Sequence, residues 1–478
     1  MPSSDPRRWY ALAVLALAQF MVVLDVTIAN VALPAIRADL GFSTDGLQWV
    51  INAYTLTFGG LLLLGGRAAD LLGRRRMFLT GLALFATASL AGGLAGSPGV
   101  LVTARAIQGI GAAMLSPAAL AIVIVTFAPG RERNLALGVW GALAGLGGTI
   151  GVVLGGLLVD QLGWEWVFFV NVPIAVVAAV ATPLVVGESR DAGAPRNFDL
   201  AGALLATLGV TAIVLGVIRT DAAGWGSAEV LGLFGLGVTL VAGFAAVEAR
   251  AEAPLLPLSL LRARGLPSSA VALAVNGGAF LGMFFLTALY LQNVHGDSAL
   301  QAGVHFVPMG IAAIAGAAAA SQLVTRIGTR PVFAAGSAVM AAGLYLLSRA
   351  GADASYAADL LPAFLIIGAA LPFIGVPNQI TAVSSVPHAL AGAASGTVTA
   401  AFQIGGALGL AVVTTLANSR VTDAIAGGAS QPEALTAGFE RGLQVAVGLA
   451  VANLVLAVIA APRLRPDAEA VVAAEAGA

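Results

Sequence analysis

The sequence predicts an all-α integral membrane protein of fourteen spans, and three observations carry that reading: an apolar surplus, its division into helix-length runs, and the placement of arginine. Of 478 residues, 59% are hydrophobic and only 10% charged, whereas a soluble protein is roughly a quarter charged. Such a chain cannot clothe a folded surface in water. Backbone amides in lipid must be satisfied within their own segment, so runs of about 20 apolar residues become spanning helices.

Apolar runs separated by polar or Pro/Gly punctuation fall near 10–33, 47–66, 77–96, 100–127, 134–158 and 166–186. These form one set of six. Two more, near 200–218 and 229–247, precede a Pro- and Arg-containing connection from Arg250 to Pro267. A second set of six follows near 268–292, 303–324, 331–349, 358–378, 391–417 and 442–461. The predicted organisation is a six-helix bundle over 1–190, two accessory helices with linkers over 191–265, a second six-helix bundle over 266–465 and a cytoplasmic tail over 466–478. Arg7 and Arg8 before an apolar run imitate a secretory signal. The run instead continues through Asp25 and Asn30 to Pro34, too long for a signal core, and many equivalent segments follow.

All 23 basic residues are arginine. With the N-terminus inside, seventeen fall in cytoplasmic segments, five (Arg37, Arg219, Arg349, Arg420 and Arg441) fall outside, and Arg105 lies within a span. The positive-inside rule therefore favours both termini in the cytoplasm of a multi-pass protein of the cell membrane. Adding or losing one span would scramble the second half of the pattern.

Composition also narrows the chemistry. A net charge of −1 provides no basic field for nucleic acid. The absence of cysteine removes thiolate chemistry and disulfides, and His295, His305 and His388 lack ligand spacing, so neither a metal nor another cofactor is expected. No span holds a carboxylate pair, and a membrane-embedded enzyme would need convergent catalytic groups. A receptor would be expected to carry a large soluble sensing segment, which is missing.

The chain repeats itself. Gly147-Gly148-Thr149-Ile150-Gly151 in span 5 returns as Gly405-Gly406-Ala407-Leu408-Gly409 in span 13, an offset of 258. Leu72-Gly73-Arg74-Arg75 returns, degraded, as Ile327-Gly328-Thr329-Arg330, an offset of 255. Two matches at nearly one offset indicate paired six-helix halves, an arrangement that usually encloses a midplane substrate site.

Several polar strings stand out against this apolar background. Gly66-Arg67-Ala68-Ala69-Asp70-Leu71-Leu72-Gly73-Arg74-Arg75-Arg76 follows span 2; its glycines allow a tight turn, and Asp70 can accept from the next helix's N-terminus and pair with arginine. The simpler alternative is a basic loop that only sets topology. Leu24-Asp25-Val26-Thr27-Ile28-Ala29-Asn30 places a carboxylate inside span 1. An ionised acid at that depth is costly, so its protonation answers to its surroundings, unless an arginine holds it permanently. Arg105-Ala106-Ile107-Gln108-Gly109 puts a fixed cation and an amide three residues apart on one face of span 4. Arginine stays charged, so it can steady a carboxylate but not release the proton; a purely structural pair remains the alternative. In span 5, Gly145, Gly148, Gly151 and Gly155 belong to a glycine-rich face suited to close helix approach, whether for motion or for packing alone.

These strings together resemble the major facilitator superfamily, and specifically its fourteen-span drug:proton antiporter branch. The likeness covers nearly the whole chain and is densest over 24–173. One departure is Val152, where that branch usually has proline after the glycine; this weakens the inferred hinge and the export direction. The resemblance implies a major facilitator fold, two six-helix bundles plus two inserted helices, and a proton-coupled antiporter exporting small apolar or amphipathic compounds such as drugs and antibiotics. A dedicated exporter or importer of a single metabolite is the alternative within transport. It further implies Asp25 and Arg105 as the proton-coupling pair, Gly66, Asp70, Gly73, Arg74 and Arg75 as the conformational-switch loop, and Arg105, Gln108 and Gly109 as the buried-arginine motif. Expected partners are a small-molecule substrate, protons and the lipid bilayer, with the proton gradient as energy source and a monomeric chain.

Polar-aromatic stripes at helical spacing mark candidate cavity surfaces: Asn276, Phe280, Phe284 and Thr287 in span 9, and Ser395, Thr399 and Gln403 with neighbouring Phe402 in span 13. Asn30 and Tyr54 in the first two spans join this set. Ordinary helix packing accounts for such stripes equally well.

Overall fold

A computed structural model of the chain describes residues 7–127, 131–190, 199–251, 254, 265–386 and 391–461. Every element in it is helical. The first half holds α1 (Arg7–Leu40), α2 (Thr44–Leu47), α3 (Trp49–Leu72), α4 (Arg74–Gly93), α5 (Pro98–Thr126), α6 (Arg131–Leu162), α7 (Trp166–Phe169) and α8 (Asn171–Val185). The accessory pair is α9 (Leu200–Ala223) and α10 (Ala228–Glu248). The second half holds α11 (Gly265–Asn293), α12 (Ala299–Ile327), α13 (Thr329–Leu347), α14 (Leu361–Ser384), α15 (Ala391–Ala426) and α16 (Gln431–Ile459). Among the described residues, 13 helices are long and apolar enough to cross a membrane. The 32-residue α6 supplies the fourteenth segment named from sequence, with Ile150–Leu162 as its described apolar stretch.

Helix ends follow local chemistry. Asp199 caps α9 by accepting from the Gly202 N–H at 2.7 Å. Ser227 does the same for α10, and Ser430 with Glu433 forms a capping box on α16. The switch string is more helical than a loop reading implies: α3 runs on through Leu72, so Asp70 sits in its last turn, and only Gly73 leaves the helix, at φ 110°. Gly328, its repeat partner, has φ 85°. Both breaks need the left-handed side of φ, which glycine reaches without a Cβ penalty.

The chain divides into two compact units. One comprises residues 1–255 and 287–307, the other 256–286 and 308–478. Within the first, α9 and α10 pair, and α9 lies on α3, where the Thr207 side chain fills the space beside Gly60. Within the second, α11 and α15 meet through bare backbone, and a Cβ on Gly409 would come within 2.2 Å of the Gly278 Cα. The glycine string repeated in span 13 thus serves close helix approach. The tail at 466–478 and His388 lie outside the described residues.

Candidate functional site: a buried carboxylate–guanidinium cluster

Four helices of the first unit converge their polar side chains on Asp25. The carboxylate is 1% exposed and Arg105 is fully buried. Arg105 Nη1 donates to Asp25 Oδ2 at 2.5 Å, while Gln108 Nε2 and Asn171 Nδ2 donate to Oδ1 at 2.9 and 2.8 Å. The carboxylate therefore receives one charged and two neutral donors. The guanidinium is fixed in turn: its Nε donates to the Val50 carbonyl at 2.8 Å, Nη1 also donates to Gln108 Oε1 at 2.9 Å, and the Tyr54 ring lies 4.4 Å away. Ser89 on α4 accepts from Gln108 Nε2 at 2.7 Å.

Backbone geometry explains why these side chains meet. Arg105 and Gln108 share one face of α5, and the contact that lets this face approach α3 is made at Gly109. A Cβ there would sit 2.4 Å from the Tyr54 carbonyl oxygen and 2.1 Å from Thr57 Oγ1. On the other flank of α1, α6 packs its glycines. Gly151 faces Thr27 and Gly155 faces Ile28, each too close to admit a Cβ without displacement. Gly148 is different, since an added Cβ would meet nothing within 4 Å. The surroundings of Gly145 lie outside the described residues. Val152, in place of the usual proline, is 1% exposed and presents its carbonyl where Gly303 closes in.

The cluster contains two residues that sequence reasoning missed. Asn171 opens α8 just after Trp164 and Trp166, and Ser89 is an unremarkable serine in an apolar helix. A polar amide at the very start of an apolar span was the available signal for the first; the second had none.

The switch string forms a second polar centre. Arg74 Nη2 and Nε donate to Asp70 Oδ1 at 2.8 and 3.1 Å, which gives the arginine pairing anticipated for Asp70. The expected capping of α4 by Asp70 is absent, and Glu188, following α8, takes that place. It accepts from the backbone N–H groups of Arg75 and Arg76 at 3.1 and 3.2 Å, while the Ser189 carbonyl accepts from the Arg74 N–H at 3.0 Å. Asp70 lies on the turn before Gly73, whereas Glu188 approaches from beyond the helix end, along the direction in which the N–H groups point. Arg75 Nη1 also donates to the Val186 carbonyl at 3.1 Å. Gly66 lies beside Pro117 of α5.

The named cavity residues divide. In the second unit, Phe280 contacts Phe284 and Phe402, with ring centroids 5.9 and 6.4 Å apart. Asn276 is buried beside them on α11, and Gln403 follows Phe402 on α15, partly buried. Thr399 turns back to the Ser395 carbonyl at 2.9 Å. In the first unit, Asn30 donates to the Val26 carbonyl of its own helix at 2.8 Å, and Tyr54 belongs with Arg105.

A family model described as Major Facilitator Superfamily matches residues 15–410. The chain belongs to that superfamily. It is 40% identical over 460 residues to puromycin resistance protein pur8 of Streptomyces alboniger, covering 96% of this chain and 91% of that one. It is 41% identical over 454 residues to cephamycin export protein CmcT of Amycolatopsis lactamdurans, covering 94% and 91%. Among solved structures, the POT family transporter PepTSo aligns with a TM-score of 0.70 at 14% identity, covering 96% of this chain and 98% of that one, a likeness of fold alone. The major facilitator member described here is thus a multi-pass membrane protein that moves small molecules across a bilayer.

Proposed function

We propose that this member of the superfamily is a proton-coupled antiporter that exports small apolar or amphipathic compounds, with Asp25 as the site of the coupled proton and the plasma membrane as its location. The observation that carries the reading is the Asp25 cluster: a carboxylate 1% exposed, opposite an arginine that cannot neutralise itself. Protonation of Asp25 would leave the Arg105 charge buried without its counterion. That is costly enough to change which conformation is favoured. The cluster also keeps spare capacity. Arg105 Nη2, the Tyr54 hydroxyl and Asn171 Oδ1 are buried without a hydrogen-bond partner among the described residues. A finished structural network satisfies such groups, whereas an exchange site needs alternative partners when its proton count changes.

Export is supported by the names of the two relatives above, a resistance protein and an export protein each named for a single antibiotic. Those same names favour a second reading, a dedicated exporter of one compound. Inverted membrane vesicles given an imposed proton gradient and a panel of unrelated compounds that includes puromycin and a cephamycin test both. Gradient-dependent accumulation of several unrelated compounds supports the broad reading, and of one the narrow. Accumulation of none, or accumulation unaffected by collapsing the gradient, refutes proton-coupled export.

Both termini are assigned to the cytoplasm by the arginine distribution. The chain has no native cysteine, so single cysteines placed at Ser4 and Ala474 report sidedness directly. Neither should react with an impermeant maleimide in intact cells, and both should react after permeabilisation. Reaction of either in intact cells overturns the orientation.

The second polar centre is assigned to conformational switching, because its bonds run between helix ends. Asp70→Asn and Glu188→Gln should each slow transport severalfold while leaving substrate affinity within about twofold, since charge contacts exposed to solvent contribute up to about 1 kcal/mol each. Equilibrium binding compared with vesicle transport checks this; weakened binding with unchanged turnover contradicts it.

A further inference from the structure

The two internal repeats end differently at the helix that follows the switch glycine. In the first half, the N-terminus of α4 is closed by Glu188 and Ser189, and Arg75 anchors the returning chain through the Val186 carbonyl. In the second half, Arg330 matches Arg75 at the repeat offset of 255. It makes the same anchor, donating through Nε to the Ala457 carbonyl at 3.1 Å and through Nη2 to that of Val458. Aligned on those anchoring carbonyls, the position of Glu188 falls at Ile459 or Ala460. The carboxylate is missing.

Its place is taken by a small polar cavity. The N-terminus of α13 has no side-chain cap among the described residues, and Pro331, which stands at the position of Arg76, removes the third donor outright. Ser269, Thr329, Arg330, Asn378 and Ala461 are among the lining residues, about 10 Å³ is open to a water-sized group, and no acidic side chain lines the space among the described residues. Ser269 is 1% and Thr329 4% exposed, and the hydroxyl of each lacks a hydrogen-bond partner among the described residues. Two buried hydroxyls without a partner and a helix N-terminus without a side-chain cap, both among the described residues, stand beside a guanidinium and can all donate to one anionic oxygen.

We propose that this cavity binds a phosphate group, inserting one anionic oxygen where the first half inserts Glu188. The volume suits a single oxygen, with the rest of the group outside against Arg330. The source is either the headgroup of an anionic phospholipid or free inorganic phosphate, and the chemistry at the cavity is the same for both. A bound water would satisfy the hydroxyls but would leave the helix end and Arg330 without a counterion among the described residues.

The test uses the full chain in detergent and native mass spectrometry, with dioleoylphosphatidylglycerol and inorganic phosphate as separate probes. Two variants disable the site: the double substitution Ser269→Ala with Thr329→Val removes both hydroxyls with little change of volume, and Ala460→Glu supplies a carboxylate at the Glu188 position. Wild type should retain one phosphatidylglycerol, or one phosphate, per chain at concentrations about tenfold below those each variant needs, the loss expected when donors to a charged group are removed. Displacement of the lipid by millimolar inorganic phosphate would show that both occupy one site. Retention of phosphate but not lipid identifies the free anion as the source, and the reverse identifies the headgroup. Equal retention by wild type and both variants overturns the proposal, as does retention of neither probe, which leaves water only. It is also overturned if Asp467→Asn with Glu469→Gln raises retention severalfold, since the chain's own acids would then be the occupant. The Ala460→Glu protein should show a higher melting temperature than wild type in the absence of either probe.

Discussion

Replacing Asp25 by asparagine is expected to abolish uphill transport in vesicles while leaving downhill substrate movement measurable. Asparagine keeps the size of the side chain and one acceptor oxygen for Gln108 or Asn171, but it neither titrates nor balances Arg105. Losing one partner of a buried ion pair typically costs about 3–5 kcal/mol, so the variant should also melt earlier. Pairing it with Arg105→Gln separates the two effects. The double variant removes the uncompensated cation and should recover much of the lost stability without regaining gradient-driven export. Substrate-induced proton release from detergent-solubilised protein should vanish in both variants. Wild-type uphill export and proton stoichiometry in Asp25→Asn would show that the proton is carried elsewhere.

The second large effect is steric. At Gly109, a Cβ would approach the Tyr54 carbonyl oxygen to 2.4 Å. Backbone cannot swing aside as a side-chain tip can. Gly109→Val is therefore expected to force α5 away from α3, at a cost toward or beyond the upper end of the 1–3 kcal/mol typical of overpacking. Because Arg105 is held by the Val50 carbonyl on the same α3, the displacement should also break transport out of proportion to its effect on folding. Gly148→Val is the matched control, since its added Cβ meets nothing within 4 Å. Thermal unfolding and vesicle transport measured side by side distinguish the two. A Gly109→Val protein as stable and active as the Gly148→Val control would contradict the steric account.

The spans and the central pair were legible in the sequence for the same reason: lipid makes every polar residue expensive, so Asp25, Arg105 and Gln108 stand out in apolar runs. What convergence adds was not legible. Asn171 joins Asp25 from 146 residues away, and nothing local distinguishes an asparagine that reaches inward from one that faces a headgroup. Glu188 was hidden by a general truth, that acids at span ends are cheaply solvated; only the path of the chain after α8 brings it back to α4. Asn30 shows the converse. Its polarity suggested a substrate surface, but an asparagine inside a helix can satisfy itself on the carbonyl one turn back, and this one does.

The docking of α9 against α3 makes the accessory pair a passenger of the first unit. Only 11% of the most apolar stretch of α10 is buried within the protein, so that helix offers a broad surface to acyl chains and gives the first unit a larger lipid annulus than six helices would. Bilayer thickness and lateral pressure act on a membrane protein through the perimeter it presents. The first unit therefore feels the composition of its membrane through a contact that the six-helix plan alone would not provide, and transport by this chain should be more sensitive to acyl-chain length than transport by a twelve-helix relative.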